Sequence, residues 1–175
     1  MIELLRKRRS IRKYTDREID KHTLDLLIET LLRSPSSLNY RPWEFIFVDK
    51  PDLLLKLSKA KEHGSGFLAK AKLGIVVCGD STKSDVWVED CSIASILVQL
   101  TAESLGLGNC WIQIRERNYS DSKTSEKYIQ EILGIPEYIK VESIISMGWP
   151  NETRKPVPTS KLDFRKIKYN YFNES

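Results

Sequence analysis

An α+β fold built on a mixed central sheet flanked by helices is what this sequence predicts. Three observations carry that reading. Helical and strand patterns interleave without a regular β-α-β rhythm, and the first patterned segments are helical. No G-x-G-x-x-G follows a strand, and no G-x-x-x-x-G-K-[ST] occurs, so neither a dinucleotide fold nor a P-loop has support. The 175 residues are 41% hydrophobic and 30% charged, too apolar for a disordered chain and too polar for an integral membrane protein. A chain of this length buries about 70% of its unfolded surface, so residues 1–175 read as one self-supporting domain.

The elements follow from local chemistry. Asp20 precedes Leu24, Leu27, Ile28, Leu31 and Leu32, which share one helix face, and Ser34-Pro35-Ser36-Ser37 ends that helix. Trp43 to Asp49 alternates aromatic and β-branched residues as a strand does. Pro51 opens a second helix through Leu53, Leu54 and Leu57. Lys72 to Gly79 is a buried strand around Ile75, Val76 and Val77. Val86 to Leu105 is the longest helix, and its apolar residues Ile93, Ile96, Leu97, Val98 and Leu100 cover more than one face, as in an interface helix. Leu105-Gly106-Leu107-Gly108 stops it with a C-cap glycine. Cys110 to Ile114 is a short strand, Ser125 to Leu133 a helix stopped by Gly134, and Val141 to Met147 a last core strand. Basic and aromatic residues alternate from Leu162 to Phe172.

Composition narrows the function. The N-terminus places its apolar residues before its charges, the reverse of a signal peptide, and the longest apolar runs are far short of the roughly 20 residues of a membrane span. Three cysteines, Cys78, Cys91 and Cys110, form no C-x-x-C and read as reduced thiols. The expected setting is the cytoplasm, with no membrane partner. The net charge of +4 is too mild to predict a nucleic-acid partner. His22 and His63 fit no Ser-His-Asp pattern and no metal set.

Four stretches carry chemistry. Arg8-Arg9-Ser10-Ile11-Arg12 places three guanidinium groups and a hydroxyl within five residues; if extended, it turns Arg8, Ser10 and Arg12 to one side, a match for a phosphate, or it is simply a solvated basic N-terminus or a loose patch for nucleic acid. Ser34 to Trp43 offers Ser and Asn groups on a proline-stiffened loop, suited to a flat heterocycle edge or simply to a turn. Gly106 to Gln113 has glycines that allow close backbone approach to a ligand or merely cap a helix. Gly148-Trp149-Pro150 leads to the basic pair Arg154-Lys155.

In this order and spacing the four stretches, which span Arg8 to Lys155, resemble the landmarks of the nitroreductase family of FMN-dependent oxidoreductases. The resemblance implies an intertwined homodimer with two FMN sites at its interface and a C-terminal tail wrapped on the partner. It implies that Arg8, Arg9, Ser10 and Arg12 hold the FMN phosphate, ribityl chain and pyrimidine edge. Pro35, Ser36, Ser37 and Asn39 would reach the flavin from the other subunit, and Trp111, Ile112 and Gln113 would lie beside the ring. Arg154 and Lys155 would close on the phosphate, with Lys161 as an alternative cation. Asp90 would serve helix or interface structure, and Cys110 would be a small apolar filler. The implied activity is ping-pong hydride transfer from NADH or NADPH through FMN N5 to an electron-poor acceptor such as a nitroaromatic or quinone, with no catalytic side chain. A flavin-binding protein with little turnover and a reductive dehalogenase are the alternatives. A colourless nucleic-acid-binding module is the reading from a different class.

Overall fold

The computed structural model describes residues 1–172. In chain order its elements are α1 (Ile2–Lys7), α2 (Lys21–Leu32), β1 (Trp43–Val48), α3 (Pro51–Leu57), β2 (Leu73–Asp80), α4 (Trp87–Ser104), β3 (Gly108–Gln113), β4 (Asn118–Ser120), β5 (Lys123–Thr124), α5 (Ser125–Leu133) and β6 (Ile139–Gly148). The main sheet runs β1-β2-β6-β3, and β4 and β5 form a separate small hairpin. The α+β architecture with flanking helices is the predicted one. All three ladders of the main sheet within this chain are antiparallel, so a mixed sheet would require a strand from outside it.

The helix signals work as their chemistry dictates. The Asp20 carboxylate accepts the Thr23 N–H and hydroxyl, both at 2.9 Å, and caps α2. Thr124 does the same for α5, accepting the Lys127 N–H at 3.1 Å. After α4 the chain turns through Gly106 at φ +82°, and the Gly106 and Leu107 N–H groups return to the carbonyls of Glu103 and Ala102. That paired closure needs a left-handed residue, which glycine adopts without strain.

The sheet divides two cores. Leu54, Leu57, Leu68, Ile112, Ile129 and Ile144 pack on one face, and Leu27, Leu31, Ile75, Val77, Val98, Ile145 and Met147 on the other. Ile144 and Ile145 on β6 go to opposite sides, as strand alternation requires. Every residue of β2 is buried. Each fully buried Leu or Ile contributes about 1.5–3 kcal/mol.

Two features depart from regularity. The β2–β6 ladder shifts register between Val77 and Cys78, which pair with Ser143 and Val141, so Glu142 is the bulged residue. Its carboxyl meets α4, where the Ser92 hydroxyl donates to it. The second departure is an uncovered apolar surface. Ile93 and Ile96 on α4, Ile28 and Leu32 on α2, and Ile2 and Leu5 on α1 are all exposed. The all-round apolar pattern of residues 86–105 therefore buries one face in this chain and leaves another open. In the tail Phe164, Ile167, Tyr169, Tyr171 and Phe172 are between 60% and 81% exposed.

Candidate functional site

The segment after α1 is laid along the end of the sheet by three backbone hydrogen bonds. The Ile11 N–H donates to the Asn109 carbonyl at 2.9 Å, Thr15 N–H to Trp149 at 2.8 Å, and Asn151 N–H to Lys13 at 2.9 Å. Tyr14 and Ile11 turn inward and are buried. Two glycines make this possible. A Cβ on Gly108 would sit 2.7 Å from Ile11 Cγ2, and one on Gly148 would sit 2.9 Å from Tyr14 Cγ. The glycine-rich stretch near 108 thus admits the N-terminal segment of its own chain, and Gly106 is a helix cap. Neither role requires a ligand.

With Ile11 turned in, Arg8, Ser10 and Arg12 face one way. All three act on the Cys110 thiol of β3: burial raises its pKa, and Arg12, the Ser10 hydroxyl and Arg8 pull against that rise. Arg9 faces elsewhere. Its guanidinium donates to the Lys155 carbonyl, and with Arg154 it lines an open cavity of about 190 Å³. Arg154 is paired through Nη2 with Glu152 at 2.8 Å, and Glu152 also accepts the Arg12 N–H at 2.6 Å. The structure therefore groups Arg8, Ser10 and Arg12, and sets Arg9, Arg154 and Lys155 apart as a brace. Lys161 lies in the exposed tail.

Two further cations join the first group, and sequence patterning missed both. Burial is the main cause that lowers the pKa of Lys61, the nearby Arg117 charge adds a smaller lowering, and the Cys110 thiol acts in the opposite sense. Arg12 also lies over the Phe67 ring, 5.6 Å from its centroid. Among the described residues, no side-chain cation of Arg8, Arg12, Lys61 or Arg117 lies within 4.0 Å of a carboxylate, although the Arg12 N–H bonds Glu152 and Arg8 acts on Glu103. Positive groups that make no direct ion pair suit an anionic ligand carrying phosphate. The donor set therefore fits the phosphate and electron-rich pyrimidine edge of FMN.

β3 adds an open edge. Ile112, expected beside the ring, is fully buried in the core and its backbone pairs with Ile144 of β6, so it does not reach this edge. Even-numbered residues here bond toward β6, as in the Ile114 N–H to Glu142 carbonyl contact at 3.0 Å, and Asn109 bonds outward to Ile11. That alternation turns the Trp111 and Gln113 backbone groups to the free edge. Trp111 Nε1 donates to Gln113 Oε1 at 2.9 Å, and Gln113 Nε2 to the Arg115 carbonyl at 3.0 Å, so both side chains are fixed.

Pro35, Ser36, Ser37 and Asn39 lie elsewhere. Their loop is tied to α4 by the Ser37 N–H, which donates to Asp90 Oδ1 at 2.8 Å. Asp90 thus braces a loop in addition to being part of the helix. Arg8 acts on Glu103, near the far end of α4. At 1.5 Å rise per residue, about 20 Å of helix separates Asp90 from Glu103. One chain holds the two halves of the expected site apart.

The three cysteines are free and buried. Burial pushes the Cys78 thiol up to about 12 and the Cys91 thiol higher. No group of three or more His, Cys, Asp or Glu among the described residues is arranged to hold a metal ion. No helix among them is long and apolar enough to cross a membrane.

The chain is an α+β protein whose arginine-bearing segment docks on a sheet edge, with further cations beside it. Its relatives narrow this. The sequence profile of the Nitroreductase family matches residues 5–64 and 52–149. An Archaeoglobus fulgidus protein named as an NADH dehydrogenase/NAD(P)H nitroreductase is 36% identical over 157 residues, 87% of each chain. A solved FMN-dependent nitroreductase from Clostridium difficile is 47% identical, with a TM-score of 0.97 over 98% of this chain and 100% of that one. A Parabacteroides distasonis structure named as an NADH dehydrogenase/NAD(P)H nitroreductase is 33% identical, with a TM-score of 0.88 over 97% of both chains. The chain belongs to the nitroreductase family.

Proposed function

We propose that this chain, as a single domain, forms a homodimeric, cytoplasmic, FMN-dependent NAD(P)H oxidoreductase. In it NADH or NADPH and a small electron-poor acceptor, such as a nitroaromatic or quinone, take turns over one flavin face. The observation that carries the proposal is the placement of Arg8, Ser10 and Arg12 beside Cys110, with Lys61 acting on the same thiol and Arg117 beside Lys61, none of the four cations being in a direct ion pair among the described residues. Relatives named as FMN-dependent nitroreductase and as NAD(P)H nitroreductase support the same reading.

Bound FMN supplies the two-electron redox chemistry, so no side chain needs to act as nucleophile. Arg8 grips the phosphate in a bidentate manner, worth about 1.5–3 kcal/mol for each charge-assisted bond. Arg12 stands at the pyrimidine edge, where a cation stabilises the negative charge that reduction brings. Ser10 offers a hydroxyl beside it, and the Trp111 and Gln113 N–H groups line the ring's edge. The Arg9, Arg154, Glu152 and Lys155 contacts hold the segment that carries Arg8 and Arg12. Pro35 to Asn39 complete the site from the partner, which is why two separated halves occur in one chain. The uncovered faces of α1, α2 and α4 and the exposed aromatic tail support that dimer.

The visible spectrum of the purified protein tests the proposal. A yellow protein bleached by NADH or NADPH, whose colour returns with a quinone, is expected. Colourless protein that takes up no FMN would overturn it. Yellow protein that neither nicotinamide bleaches would be a flavin binder with little turnover.

A further inference from the structure

Resting on the reading of the loop as the partner's half of the flavin site, we propose that Asp90 is a positioning residue. It sets the shape of Pro35–Asn39 and thereby governs how the loop meets FMN bound by the other subunit.

The loop does not hold its shape by preference. Leu38, Asn39 and Arg41 all adopt left-handed backbone, at φ 47°, 59° and 49°. Side chains with a Cβ disfavour that region, and strain of this kind persists only where the surroundings impose it. Bonds within the loop close the turn: the Arg41 N–H donates to Ser36 Oγ at 2.8 Å, Arg41 Nε to Asn39 Oδ1 at 2.8 Å, and the Asn39 N–H to the Ser36 carbonyl at 3.1 Å. These bonds define a shape; just past it, the Asp80 N–H donates to the Pro42 carbonyl at 2.7 Å and fixes where the loop ends, but not where Ser36 and Ser37 sit. Among the described residues, the hydrogen bond that joins residues 35–41 to the rest of the chain is the Ser37 N–H to Asp90 Oδ1, at 2.8 Å.

Asp90 is poorly placed to serve stability alone. It is 3% exposed, and its Oδ2 is buried without a hydrogen-bond partner. An orphaned buried oxygen is unfavourable, so this carboxyl does less for the fold than an apolar residue of similar size would. Ser37 is itself exposed, so water can satisfy its N–H if Asp90 is removed. The gain from Asp90 therefore lies in loop geometry. Loop entropy, suppressed in advance, is what a ligand otherwise meets on binding.

Asp90→Ala and Asp90→Asn separate a positioning role from a structural one. FMN affinity is read by flavin fluorescence quenching, assembly by sedimentation, and stability by the melting temperature of the flavin-free protein. The expected result is a dimeric Asp90→Ala protein with an unlowered melting temperature and FMN bound roughly tenfold more weakly or worse. Asp90→Asn, which keeps an acceptor oxygen for Ser37, restores affinity to within about threefold. Unchanged FMN affinity in Asp90→Ala would overturn the proposal, as would a fall in melting temperature with affinity intact. Amide hydrogen exchange on the unaltered protein tests the same bond whatever the variants do: Ser37 exchanges slowly if Asp90 holds it, and free exchange at this exposed residue refutes the anchor. Failure of the unaltered protein to bind FMN would instead remove the site reading, leaving the Ser37 exchange result to judge the anchor by itself.

Discussion

The Tyr14 hydroxyl lies 2.7 Å from the Ser146 hydroxyl, joining the N-terminal segment to the central strand β6 across 132 residues of sequence. Burial raises the Tyr14 pKa, so the phenol keeps its proton and donates it to the Ile11 carbonyl at 2.7 Å. Ser146 then donates to Tyr14, with the Cys110 carbonyl at 3.2 Å as the second acceptor for the same proton. The carbonyl held by this chain lies between Ser10 and Arg12, so the hydroxyl pair positions the residues assigned to the flavin.

Tyr14→Phe removes one donor and leaves the ring in place. Ser146 turns to the Cys110 carbonyl, and the Ile11 carbonyl is left bare. The expected loss is about 1 kcal/mol in urea unfolding, with FMN affinity reduced several-fold. An unaltered affinity would show that Ser10 and Arg12 are held by other means.

Gly108→Ala forces its new Cβ against Ile11, whose Cβ and Cγ2 would lie 2.9 and 2.7 Å away. Ile11 is buried and must shift, at about 1–3 kcal/mol. The shift carries Ser10 and Arg12 with it, so bound flavin falls together with stability. Gly66→Ala is the control: nothing lies within 4 Å of its added Cβ, and calorimetry of the two variants should show a lower melting temperature for Gly108→Ala alone.

Arg8→Ala combined with Arg12→Ala removes two charge-assisted partners of the phosphate and pyrimidine edge. The protein should remain a dimer by sedimentation and lose its colour, with FMN affinity down by about a hundredfold or more. Stoichiometric flavin in the double variant would overturn the assignment of these arginines.

Glu142 makes stability fall as pH rises. Burial is the main cause of its pKa rising to about 7, with Glu89 adding to the rise, and Ser92 and Arg115 opposing it. In the unfolded chain the carboxyl ionises at its ordinary value, near 4.5. Between those values the folded protein binds more proton than the unfolded one. Its contribution is thus full below about pH 4.5 and is lost by about pH 7. Glu142→Gln cannot titrate. Urea unfolding at pH 4.5 and 7.5 should show the unaltered protein losing on the order of 2 kcal/mol relative to this variant. Parallel profiles would refute a proton held at Glu142.

Much of the fold was legible because its signals are local. The Asp20 cap, the helical face of residues 24–32, and the apolar strands near 75 and 144 depend on neighbours within a few positions. The helix at Ser125–Leu133 came out to the residue, since Thr124 and Gly134 mark both ends. Other ends moved by one or two residues; pairing carries the last strand past its apolar run to Ile139–Gly148, while the long helix is one residue shorter at each end, Trp87–Ser104. The helix at Ile2–Lys7 was not anticipated; its Ile2 and Leu5 are exposed and give no amphipathic contrast within this chain. The hairpin at Asn118–Thr124 has strands of only three and two residues, too short for a periodic signal.

The sequence by itself determined the class of the chain, the positions of its main helices and core strands, and the arginine-rich and Ser-Pro-Asn stretches that resemble a family. Tertiary structure decided what those residues touch. It sorted Arg8 and Arg12 from Arg9, brought Lys61 to Cys110 with Arg117 beside it, and gave Asp90 to a loop some fifty residues earlier. It also turned Gly108 from a candidate ligand contact into a space for Ile11, and made Glu142 a bulge. The physical reason is range: capping and periodicity act over one or two turns of chain. Close approach, register and unpaired charge depend on segments a hundred residues apart, and exist only once the sheet has brought them together.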